Sequence, residues 1–142
     1  GRFGDRGCLG TDGIGSDMFQ AAKDAFFAAR EHCHEVDVIQ LLAGNHRLAS
    51  TLLGVSLGKL QPGFEADIVR LHHACTTPLT PSNVGGHLLF GFNASQVKDV
   101  WVAGRRRVDD REVQGLDVDF LLGRSRRMAK SIWKRFEASS TD

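Results

Sequence analysis

Two different spacings of apolar residues divide this chain. Met18, Ala22, Ala25, Phe26 and Ala29 recur at helical intervals, with Lys23, Asp24, Arg30 and Glu31 largely on the opposite face. The spacing predicts a helix over about 17–32, capped by Ser16 or Asp17. VDVIQLLAG and NHRLASTLLG predict two further short helices, ended by Gly44 and Gly54 where a left-handed cap residue is wanted. Ahead of them, GCLGTDGIG is a short apolar run that predicts a buried strand stopping abruptly at Asp12. After Gly54 the period shortens. A Pro62-Gly63 turn leads into an alternating strand over 66–71, and a hairpin is expected around Ala103-Gly104. Between them TTPLTPSNVGG is turn-rich, and HLLF predicts a brief apolar strand or turn. The chain closes on a second amphipathic stripe of Val118, Leu121, Leu122, Met128, Ala129, Ile132 and Phe136, with Gly123 weakening its first turns.

Composition narrows the class. An apolar fraction of 42%, a charged fraction of 25% and a net charge of +1 over 142 residues describe a soluble globular chain of about one domain, not a disordered or collagen-like one. No apolar run is long enough for a membrane span, and the first residues lack the layout of a secretory signal, so a cytoplasmic chain with no membrane partner is expected. Cys8, Cys33 and Cys75 are odd in number and form no C-x-x-C, which argues for reduced thiols and against both a disulfide scaffold and a thiolate zinc site. Basic residues gather at Arg105, Arg106, Arg107 and in the last thirty residues, but no aromatic residues interleave with the arginine run. It reads as an exposed hairpin arm with no nucleic-acid partner.

The order of these pieces carries a resemblance. Leu9-Gly10-Thr11-Asp12-Gly13, then a helix, then Asn45 and 49–54, then GKLQPGFEADIV over 58–69, resembles the closing third of the amidohydrolase superfamily. The similar branch holds putative aminohydrolases and chlorohydrolases with cytosine and guanine deaminases. His87 to Phe90 and the V-x-V-x-G of Val100, Val102 and Gly104 extend the match to about residue 113. The resemblance implies an α/β fold: a TIM-barrel remnant of last strand plus helices over 1–57, the C-terminal share of a small β-sandwich over 58–115, and a C-terminal amphipathic helix over 116–142. A whole barrel needs about 250 residues, so the chain is expected to be the C-terminal fragment of a longer metal-dependent hydrolase.

Within that resemblance Asp12 is the expected catalytic residue and metal ligand. The family's aspartate stands at the end of the eighth barrel strand, where it ligates a divalent metal, zinc or iron, and takes a proton from the attacking water. The implied parent cleaves a C–N or C–Cl bond of a small molecule, as in deamination of a heterocycle or an amidine-like substrate. The family's remaining ligands, a His-x-His pair and two single histidines, would precede residue 1, so the isolated chain is expected to be inactive and metal-free. His32 and His34 imitate the pair in letters only, because two residues on a helix are about 200° apart. His72 and His73 point to opposite faces if the strand continues, His87 packs at the sandwich or lines a substrate loop, and His46 belongs to a helix surface. Asp67 is read as a turn anchor, and Trp101 and Trp133 as core or interface residues. Self-association, or contact with the missing N-terminal part, is expected to cover the faces that a cut barrel leaves open. The alternative, of another class, is a stand-alone interaction or assembly module without catalysis.

Overall fold

The computed structural model describes residues 7–13 and 15–139. Two helices, a four-stranded antiparallel sheet and a long terminal helix follow one another along the chain. Helix α1, Met18–Glu31, starts where Asp17 accepts the orphan N–H groups of Phe19 at 2.9 Å and Gln20 at 3.2 Å. Its buried residue Ala22 and Val38 of the next helix are the buried apolar side chains among the described residues.

Helix α2 corrects the expectation of two short helices. It runs unbroken from Val38 to Leu53, capped by Asp37 at one end and by Gly54 at φ 70° at the other. Gly44 lies inside it and is buried, and a Cβ there would meet the carbonyl oxygen of Gly7 at 2.1 Å. This glycine permits close approach of another backbone and does not end a helix.

The approaching segment is the apolar run expected as a strand. Residues 7–12 make no sheet pairing, yet their exposure alternates residue by residue as in a strand. The partner is a side chain: Asn45 Nδ2 donates to Leu9 O and Asn45 Oδ1 accepts from Leu9 N, each at 2.8 Å. One amide thus satisfies both backbone groups of Leu9, as a neighbouring strand would. Of the run that carried the expected strand, Ile14 lies outside the described residues.

Strands β1 (Ile68–Leu71), β2 (Val97–Val102), β3 (Arg105–Asp109) and β4 (Glu112–Val113) form the sheet in chain order. Turn chemistry sets the connections. Gly63 at φ 88° follows Pro62, and Phe64 N–H closes that turn on Gln61 O at 3.2 Å. The β2–β3 hairpin turns through Ala103 at φ 49° and Gly104 at φ 71°, and Asp67 accepts the Ala103 N–H at 2.7 Å. Asp67 is therefore a turn anchor, and it joins the start of β1 to the hairpin tip.

HLLF is neither strand nor turn. The short helical turn α3 (Val84–Gly86) widens into a π-helix over His87–Gly91, closed by Phe92 N–H on His87 O at 2.8 Å. Its aromatic side chains seat it on α1: Phe90 packs edge-on against Phe26 and Phe27, and Phe92 against Phe19. Helix α4, Val118–Ser139, begins with Asp117 accepting from Phe120 N–H at 2.9 Å and runs through Gly123 without a break. None of its residues is buried, and Trp133 is 61% exposed, so Trp133 is not a core residue of the chain alone.

Candidate functional site

Asp12 stands where the docked segment leaves α2. Its backbone is left-handed at φ 51°, a conformation Asp tolerates better than most residues, and its Oδ1 accepts the N–H of Gly13 at 2.7 Å. The side chain is exposed. A hollow of about 420 Å³ opens between the segment and α1, lined by Leu9, Gly10, Thr11, Gly15, Gln20 and Asp24 among others, but not by Asp12. Among the described residues Asp12 belongs to no cluster of three or more potential metal ligands. One carboxylate engaged by a backbone N–H does not by itself fit a metal, which takes three or more protein ligands.

His32 and His34 sit at the exposed C-terminal end of α1 and join no ligand cluster among the described residues. His46 is exposed on α2, with Gly58 so close that a Cβ would meet its ring at 2.6 Å. Arg105, Arg106 and Arg107 do not act as one free arm, because Arg106 turns onto the sheet.

Sequence reasoning missed the electrostatic centre of that sheet. Asp99 on β2 is fully buried, pairs with the guanidinium groups of Arg70 and Arg106, and accepts from Asp110 N–H at 3.1 Å. Arg106 also lies over the Trp101 ring at 5.4 Å and pairs with Asp109 at 2.7 Å. Burial pushes the Asp99 carboxyl up, but the Asp110 N–H and the two guanidinium groups outweigh it and hold the pKa at about 2, below the ordinary 3.8. The signal was the cross-strand register, Arg70 opposite Asp99, which could be read only once the strands were paired. This ionic knot organises the sheet.

A second missed grouping is His73, Cys75 and His87, whose ligand atoms all lie within 4.8 Å of one another. The rings of His73 and His87 meet through Nε2 and Nδ1 at 3.4 Å, and Thr77 Oγ1 lies 3.2 Å from His87 Nε2.

No protein-family model matches the chain. Curated relatives do. The chain is 27% identical over 135 residues to a 5-methylthioadenosine/S-adenosylhomocysteine deaminase of Syntrophomonas wolfei, a match covering 87% of this chain and 31% of that protein. The like-named proteins of Shouchella clausii and Haloquadratum walsbyi are also 27% identical, over 80% and 89% of this chain and 28% and 30% of theirs. These matches agree with the resemblance to the amidohydrolase superfamily. The chain spans about three tenths of the length of the curated relatives it matches. The same fold occurs in a solved adenosine deaminase of Xanthomonas campestris with bound Zn. That structure aligns with a TM-score of 0.68 and 23% identity over 82% of this chain and 28% of that one.

Proposed function

We propose that this chain is the C-terminal share of a metal-dependent hydrolase of the amidohydrolase superfamily that deaminates a small heterocyclic, nucleoside-like substrate in the cytoplasm, with Asp12 as its catalytic carboxylate. The docked segment 7–12 carries the reading. It lies against α2, where Asn45 bonds both backbone groups of Leu9 and Gly44 leaves room for Gly7, and it presents Asp12 at its C-terminal end, the end at which barrel active sites are built. Asp12 would supply one acidic group to a set whose other members come from preceding sequence. When bound, a divalent metal such as zinc or iron would lower the pKa of water so that it can attack at neutral pH. The chain's own task is to fix that carboxylate on a stiff backbone, where it can ligate and hold a proton.

The same reading accounts for the surface. The chain exposes 11245 Å², whereas a self-contained monomer of 15.5 kDa exposes about 7,200 Å². The excess is the size of an obligate interface. On this proposal 1–57 completes a barrel, 58–115 completes a sandwich, and the stripe of α4 is covered by the preceding part or by a second copy. The test begins with the reading frame upstream of Gly1. It is expected to continue into a His-x-His strand, and its full product to release ammonia from adenosine-type nucleosides. An in-frame stop directly upstream, followed by a start at this chain, would favour the assembly-module alternative.

A further inference from the structure

We propose that His73, Cys75 and His87 form a binding site for a zinc-type divalent cation, built by this chain without help from any other. Three observations converge on it. His73 and Cys75 are two residues apart on the segment that follows β1, and their ligand atoms come within 4.8 Å of each other and of that of His87. His87 arrives from the opposite direction as the first residue of the π-helix, a helical irregularity that recurs at functional sites. The 3.4 Å between the facing ring nitrogens is long for a hydrogen bond. It is close to the separation of about 3.3 Å that two tetrahedral ligands at zinc–nitrogen distances of about 2.05 Å must have.

The surroundings fit the same use. Gly91 backs the pair, and a Cβ there would press on the His73 ring at 3.1 Å, so the glycine leaves the rings their room. Nδ1 of His73 is buried and unpartnered, so that ring has no good protein hydrogen bond at either nitrogen. A cavity of about 350 Å³ opens beside the rings, lined by Thr76, Thr77 and Asn83 as well as by both histidines. Two imidazoles and a thiolate suit a borderline-soft ion such as zinc over magnesium or calcium. With three protein ligands, of which both histidines border the hollow, a fourth position is left for water or an incoming donor. The site runs against the expectation of a metal-free isolated chain, which rested on Asp12 as the sole ligand.

The test is titration of the reduced, purified chain with Co²⁺, followed by displacement with Zn²⁺. Expected are one equivalent of Co²⁺ bound, tetrahedral cobalt absorption and a thiolate-to-cobalt charge-transfer band. Cys75→Ser removes that band while Cys33→Ser keeps it, and His73→Ala or His87→Ala weakens binding by at least about tenfold, the least that loss of even a supporting contact costs at metal sites. Cys75 is exposed, so its substitution leaves packing intact and keeps the test valid if a histidine variant fails to fold. Absence of saturable cobalt binding would overturn the proposal, as would a charge-transfer band that survives Cys75→Ser.

Discussion

Substituting Gly44 by Ala tests how the Asp12 segment is held. In an ordinary helix interior the added methyl group stabilises by about 1 kcal/mol. Here it would sit 2.1 Å from the Gly7 carbonyl oxygen, 3.2 Å from the carbonyl carbon and 3.5 Å from Cys8 Sγ. The first distance is far inside van der Waals contact and involves backbone, so the segment must lift by more than 1 Å. Lifting breaks both Asn45–Leu9 hydrogen bonds, worth about 0.5–1.5 kcal/mol each. The gain and the loss then nearly offset one another, for a net destabilisation of about 0–2 kcal/mol, while the segment itself is released. Hydrogen exchange of the Leu9 amide reports this directly. Protection is expected to fall in Gly44→Ala and in Asn45→Ala, with the double variant no worse than the singles because both act on one contact. Unchanged Leu9 protection together with a stability gain of the full ~1 kcal/mol would refute the close-approach reading.

Acid unfolding should report Asp99. Its folded pKa of about 2 lies below the ordinary 3.8, so its contribution to stability is fully present above about pH 4 and is lost as pH falls through 2. Asp99→Ala should flatten that decline while lowering the melting temperature at neutral pH, because Arg70, Arg106 and the Asp110 N–H lose their acceptor; a variant as stable as the parent at pH 7 and pH 3 would contradict the assignment. Asp67→Ala removes the acceptor at the hairpin tip and should cost about 1 kcal/mol in urea unfolding, whereas no loss would mean that the Ala103 N–H is equally well served by water. Self-association measured by light scattering should fall in Ile132→Glu, since Ile132, Trp133 and Phe136 expose more than half of their surface on α4. A monodisperse 15.5 kDa species at high micromolar concentration would contradict that.

Local chemistry was legible in the sequence where one residue decides the outcome. Asp17 caps α1, Gly54 ends α2, Pro62-Gly63 and Ala103-Gly104 turn the chain, and Asp67 anchors a turn. Gly44 misled because a glycine that admits another backbone has the same letter as one that adopts a left-handed cap. The HLLF stretch was illegible for a related reason, since no periodicity over four residues marks a π-helix, and its position depends on Phe90 and Phe92 packing against α1. Strand β2 lies within the sheet, paired with β1 on one side and β3 on the other. Uncovered apolar side chains lie on α4 and also at the end of α2, where Leu52 and Leu53 are exposed. The His73–Cys75–His87 grouping joins residues up to fourteen apart through a helical irregularity, so spacing alone could not reveal it.

The central claim is that Asp12 is the catalytic carboxylate of a hydrolytic deaminase, and the most direct test is ammonia release by the product of the full reading frame and by its Asp12→Asn variant. The account expects turnover in the parent protein and a loss of at least about 10²- to 10⁴-fold in the variant, the range for removing a general base, with hydrogen-exchange protection of Leu9 retained. A variant that keeps more than about a tenth of the parent rate would fall outside that range and remove Asp12 from the chemistry.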